Sequence, residues 1–118
     1  MGFNNSKPMI QVNMILDGAG LLKSCRVSGH AGAGNRGSDI VCAAVSVLIR
    51  TTIRVLSDKK GITIRGDIQE RGNCYFETEY SPDGRDFLAA TGAFLIEGVL
   101  SVSEEFPDNC KVNMERRN

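Results

Sequence analysis

The stretch Asp39 to Leu56, DIVCAAVSVLIRTTIRVL, runs for eighteen residues without a glycine or a proline. That is too long for an ordinary strand, and its pattern predicts a helix over about 39–56. The first three turns are almost wholly apolar, with only Asp39 and Ser46 interrupting before Arg50. A helix that is apolar nearly all round has to be buried. A chain of 118 residues can supply one core and one domain to bury it. Ser38 or Asp39 is placed to cap the helix by accepting hydrogen bonds from its first free amides.

The flanking sequence supplies a sheet. Residues 9–16, MIQVNMIL, alternate, with Ile10, Val12, Met14 and Leu16 on one face of a half-buried strand. DGAG at 17–20 is a turn, and LLKSCRVSG follows as a second strand with Leu21, Cys25 and Val27 on one face. After the helix, SDKKG breaks the chain, and ITIRGDIQ and CYFETEY flank ERGN as a second hairpin. SPDG opens a helix over about 83–105 that carries Phe87, Ala90, Thr91, Phe94, Leu95, Val99 and Val102 on one broad side. Gly92 and Gly98 each weaken that helix by about 1 kcal/mol against alanine and invite a close neighbour. Pro107 stops it, and CKVNM is a last short strand. The expected architecture is an α/β (α+β) single domain over 9–118, a mixed sheet with two helices in the order β-β-α-β-β-α-β. Residues 1–8 are expected to be a flexible N-terminal segment.

Composition narrows the function classes. Apolar residues make up 42% and charged residues 24%, as in an ordinary soluble globular protein. No unbroken run reaches the roughly eighteen apolar residues of a membrane span, so no membrane association is expected. MGFNNSKP lacks the apolar core and basic start of a signal peptide. It does match the short myristoylation pattern at Gly2 and Ser6, which an unstructured start explains equally well. Basic and acidic residues balance at 14 each, which argues against direct nucleic-acid binding. The four cysteines, Cys25, Cys42, Cys74 and Cys110, form no C-x-x-C pair and share the chain with a single histidine. Neither a disulfide framework nor a zinc site fits; no metal or cofactor is expected, and the expected setting is a reducing cytoplasm with free thiols.

The chemistry concentrates in residues 29–44, GHAGAGNRGSDIVCAA. Gly32, Gly34 and Gly37 spell the G-x-G-x-x-G of a dinucleotide-binding turn. That motif needs a βαβ unit and an acidic residue ending the next strand, about 20 residues on. Here the preceding strand is the second arm of a hairpin, Asp58 lies in a loop, and Asp67 lies 30 residues past Gly37. Asp39 would also repel a pyrophosphate. The same stretch sets His30 twelve residues before Cys42, where the helix begins. A cysteine nucleophile must become a thiolate, and a helix N-terminus or a nearby imidazolium favours that. With Ser38 or Asp39 as cap, Cys42 lies in the first turn, and the backbone N–H groups of Val41 and Cys42 are candidate donors to an oxyanion. Asn35 is a weaker candidate. Asp39 and Ser46, three residues before and four after Cys42, share its helix face. Asp39 could orient His30 or simply cap the helix. Ser46 could hydrogen-bond within the site or back to the Cys42 carbonyl. Burial explains Cys25, Cys74 and Cys110 without a catalytic role.

The run GHAG…GSDIVCAAVSVL resembles the signature of the bacterial ribosomal-processing cysteine protease family, called Prp. The matching residues are Gly29, His30, Gly37, Asp39, Ile40, Val41, Cys42, Ala43 and Ser46, without a gap from Asp39 to Ser46. The resemblance implies a small homodimeric endopeptidase with Cys42 and His30 as its catalytic pair, and Asp39 and Ser46 in support. It also implies a substrate, the N-terminal extension of a large-subunit ribosomal protein (number twenty-seven). The glycine-rich loop of Gly29, Gly32, Gly34 and Gly37 joins base to nucleophile and is expected to close over a bound peptide. The alternative is a non-enzymatic, ribosome-associated module that uses the loop only to grip a peptide.

Overall fold

The computed structural model describes residues 9–29, 36–70 and 73–118. His30, Gly32, Gly34, Asn35 and the expected flexible segment 1–8 lie outside the described residues. Strands β1 (Ile10–Leu16) and β2 (Leu22–Ser28) precede helix α1 (Arg36–Ser57). Strands β3 (Ile62–Glu70) and β4 (Asn73–Tyr80) follow, then helix α2 (Arg85–Glu105) and strand β5 (Cys110–Arg116). A 3-10 turn at Pro82–Gly84 leads into α2. The element order is the one the sequence predicts.

The five strands form one mixed sheet in the order β3-β4-β2-β1-β5. The β1–β2, β2–β4 and β3–β4 pairs are antiparallel, and β5 runs parallel to β1. Alternation in β1 buries Ile10, Val12 and Met14, and register carries the buried face across to Cys25 and Val27 on β2 and Phe76 on β4. Val41, Cys42, Val45 and Ile49 of α1 and Leu95 and Val99 of α2 close on that face. Burying the Phe76 ring, which is wholly inaccessible, contributes about 1.5–3 kcal/mol. A smaller cluster of Leu21, Leu56 and Leu88 seals the far end of the helices. There Asp17 accepts hydrogen bonds from the Ala19 and Leu21 amides at 2.9 Å and from the Tyr80 hydroxyl at 2.7 Å, tying the β1–β2 turn to β4.

The other face of the sheet is polar. Arg26 stacks 4.3 Å from the Tyr75 ring centre, Arg65 pairs with Glu79, and Asn113 donates to Asn13 at 2.9 Å. Both helices are, by length and composition alone, apolar enough to cross a membrane, which a count of unbroken apolar residues does not register. Core helices of soluble proteins pass the same test, and here both pack on the sheet.

Two expectations change. In α2 the buried stripe is Leu88, Gly92, Leu95 and Val99, whereas Phe87 is 37% and Phe94 74% exposed. Gly92 explains the narrow stripe: a Cβ there would sit 3.1 Å from the Leu22 Cβ, so α2 lies close on β2 along a single ridge. Phe87 and Phe94 each stand one residue, about 100° of rotation, before a ridge position and miss the contact. The second change is the start of α1 at Arg36 rather than near residue 39. Ser38 and Asp39 therefore lie inside the helix rather than at its N-cap position. Gly37 and Ser38 are poor helix formers, but packing of the apolar face that follows overrides propensity.

Candidate active site

β2 ends, and β1, β4 and β5 begin, at one end of the sheet, and α1 starts at that same end. The chain leaves β2 through Gly29, whose φ of +107° is a conformation that side-chain-bearing residues rarely adopt. Steric room is also missing. A Cβ on Gly29 would come within 3.0 Å of the Met9 carbonyl oxygen and 3.3 Å of the Ile10 Cα. Gly29 thus turns the backbone tightly over the start of β1 and sends it toward His30.

Cys42 is the seventh residue of α1 and only 4% exposed. It points into the core with Val41, Val45 and Ile49, and Ser46 lies one turn further on, also buried. The early helix start revises the expected oxyanion donors. Only the first-turn amides of a helix are free, and the amides of Val41 and Cys42 bond back to carbonyls four residues earlier. The macrodipole also fades within the first turn. Asp39 is exposed in the first turn, where the macrodipole favours a carboxylate.

All four cysteines are free and buried. Burial, with a smaller contribution from Cys74, pushes the Cys25 thiol up to about 12 from an ordinary 9.0. Burial, with a smaller contribution from Cys42, pushes the Cys74 thiol up to about 11. Cys74, Phe76 and Thr78 share the buried face of β4, as the alternation of CYFETEY implies. Among the described residues no cluster of three or more histidine, cysteine, aspartate or glutamate side chains is arranged to hold a metal ion.

The raised thiols carry a pH consequence. A group whose folded pKa is raised stabilises the fold below its unfolded pKa, and that contribution is lost as pH climbs toward the folded value. Stability is therefore expected to fall between pH 9 and about 12, through Cys25 and Cys74. Denaturant titrations across that range check it, with a Cys25→Ala, Cys74→Ala double variant losing much of the slope. An unchanged slope in the variant would refute the assignment.

Fold and site together describe a small α/β domain with Cys42 buried early in a core helix, at the sheet end where Gly29 turns the chain out of β2. The chain belongs to the cysteine protease Prp family, whose model matches residues 9–111. Solved structures agree on the fold. The Streptococcus mutans protein SMU.848 is 26% identical, with a TM-score of 0.76 over 92% of this chain and 96% of that one. An essential ribosomal processing protease Prp from S. aureus, in complex with a substrate peptide, is 19% identical, with a TM-score of 0.75 over 90% and 99%. The same S. aureus protease with a covalently linked product peptide is 20% identical, with a TM-score of 0.72 over 90% and 99%. No curated protein sequence matches the chain significantly.

Proposed function

We propose that this cysteine protease is a cytoplasmic endopeptidase that removes the N-terminal extension of a bacterial large-subunit ribosomal protein (number twenty-seven). The observation that carries the reading is the placement of Cys42 early in α1, at the sheet end where Gly29 delivers the chain to His30. In this mechanism His30 takes the Cys42 proton and the thiolate attacks the scissile carbonyl carbon. The tetrahedral oxyanion collapses, the C–N bond breaks, and the His30 imidazolium protonates the leaving amine. Water, activated by His30, then hydrolyses the thioester. Free amides of the first turn of α1, rather than those of Val41 and Cys42, are the backbone donors available at this end. Asp39 orients the His30 ring, and Ser46 offers a hydroxyl one turn from the sulfur. The loop that carries Gly32 and Gly34 closes over the bound peptide, whereas Gly37, expected in that loop, belongs to the first turn of α1. A purified preparation should shorten the extended ribosomal protein at a single bond, and Cys42→Ala should leave it intact. Binding without cleavage by both would point instead to a peptide-gripping module.

The active unit is a homodimer. An open apolar groove of about 370 Å³ between α1 and α2, with Leu48, Val55, Ala90 and Phe94 in its walls, is a self-association surface that suits this reading. Phe94→Glu should raise the dimer dissociation constant at least about tenfold, as a buried charge costs more than 1.4 kcal/mol. Sedimentation equilibrium reads it, and an undiminished dimer would move the interface elsewhere.

A further inference from the structure

Sheet order leaves β3 at one edge and β5 at the other. An edge strand turns the N–H and C=O groups of alternate residues outward, unpaired within the sheet. Shortness, proline or lysine commonly blunts such an edge. β3 has none of these: it is the longest strand, at nine residues, and Ile62–Glu70 holds neither proline nor lysine. The β3 edge is also the one beside the cysteine. α1 packs chiefly on β3, and α2 on β5 and β2, so the flank of α1 turned away from α2 faces the β3 edge. Leu48, Thr52 and Val55 line the groove toward α2. Asp39, Ala43, Ser46 and Arg50, at helical spacing, form the opposite stripe, next to Cys42. Levels along the two elements can be matched. Ile62 packs on the cluster that holds Leu56. From Leu56 back to Cys42 is about 21 Å at roughly 1.5 Å per residue. An equal distance along β3 from Ile62, at roughly 3.3 Å per residue, reaches about residue 68. Cys42 is thus level with the end of β3. Between the two the strand is bare. Ile64 is half-buried on the helix side of the sheet, whereas Gly66, two residues on, is exposed. Gly66 lies so close to β4 that a Cβ would meet the Tyr75 carbonyl oxygen at 2.6 Å, and no side chain stands there.

We propose that the substrate peptide binds as an added strand on the β3 edge, its backbone paired with residues 62–67 and its scissile bond carried past the end of β3 to Cys42. The inference rests on Cys42 being the protease nucleophile and names how the peptide is held. Main-chain pairing to a sheet edge selects an extended polypeptide, which is the form a protease needs its substrate to take, and it supplies affinity that does not depend on side chains. Alternate substrate side chains then point to opposite faces of the sheet. Those on the helix side meet Ala43, Ser46 and the bare backbone at Gly66, so the channel between α1 and β3 has room for them. The register shift between Ile68 and Glu70 falls where the peptide must leave the ladder for the cysteine, and a bulge turns a strand at such a point.

The test uses a synthetic peptide that spans the extension and the first residues of the mature ribosomal protein. Hydrogen exchange of the Cys42→Ala protein, with and without saturating peptide, reads the edge directly. Alternate amides of residues 62–67 should slow at least tenfold, and those of β5 should not change. With the parent protein, peptides N-methylated one residue at a time, at least two residues from the scissile bond, should show a period of two. A methyl on each amide that faces β3 should raise KM at least tenfold at nearly constant kcat, and a methyl on its neighbours should do neither. Protection of β5, protection of neither edge, or N-methyl effects without the alternation would overturn the proposal. So would β3 amides that are slow before peptide is added and quicken on dilution, because a second copy of the chain would then occupy the edge. Exchange is read apart from cleavage: cleavage of the peptide without protection of β3 refutes this inference alone. Protection of β3 with no cleavage by the parent upholds the edge and refutes the protease reading, and absence of both refutes both.

Discussion

Gly29→Ala is expected to destabilise the fold by more than about 2 kcal/mol and to reduce peptide cleavage at least tenfold. Two costs add at this position. The backbone holds φ at +107°, and forcing a side-chain-bearing residue into such a region costs about 1–3 kcal/mol. The new methyl group would also meet main-chain atoms, the Met9 carbonyl and the Ile10 Cα, which cannot rotate away as a side-chain end can. Relief requires the start of β1 to shift or the exit from β2 to reopen, and on the proposed mechanism either would disturb the base, which is the next residue in sequence. A misplacement of about 1 Å in a catalytic group can cost a hundredfold in rate. Gly18→Ala is the matched control, because a Cβ there meets only the side chain and Cα of Asn118, near the end of the chain. Urea unfolding should show a lower midpoint at an unchanged slope for the first variant and little change for the second. Equal midpoints for Gly29→Ala and the parent would contradict the close approach to Met9.

Cys42→Ala and His30→Ala are each expected to reduce cleavage at least about a thousandfold, and together no further. Groups that act as one unit lose their function once rather than twice, so the double variant should match the worse single one. Cys42→Ala removes one sulfur from a packed site, and the fold should lose no more than about 2 kcal/mol. A folded, inactive protein is thus the expected product. His30→Ala should also lose the acidic limb of the pH–rate profile, which reports the protonation of the base. Additive losses in the double variant would indicate that the two residues act separately. Activity within tenfold of the parent in either single variant would remove that residue from the chemistry.

Much of this architecture is legible in one sequence because periodicity is a direct imprint of burial. Alternation in MIQVNMIL marks Ile10, Val12 and Met14 as core residues, and all three are buried. Element order follows from the same reading. Strand order does not: β2 pairs with β4 and β1 with β5, and nothing local in either strand encodes those long-range partners. The start of α1 is hidden because Gly37 and Ser38 favour a loop by propensity, and only tertiary packing turns them helical. That one-turn difference moves Val41 and Cys42 out of the first turn. Phe94 is misjudged for a related reason. An apolar residue near the right phase reads as core, but the close seat of Gly92 on Leu22 decides which ridge of α2 makes contact. The face of β4 is half legible, since alternation marks Cys74, Phe76 and Thr78 as buried while the helices that cover them are set by the fold.

The parallel pairing of β5 with β1 has a consequence for the order in which the fold is completed. β1 begins with Ile10 close against Gly29, just after Met9, and half its ladder is supplied by residues about a hundred positions later, as Asn13 and Asn113 show. Contacts of such long range form late and slow folding, because the chain must close a large loop before they give any return. Synthesis runs from the N-terminus, so β1 has β2 beside it long before β5 is made, and the turn at Gly29 that lies over the start of β1 stays incompletely braced until β5 takes its place.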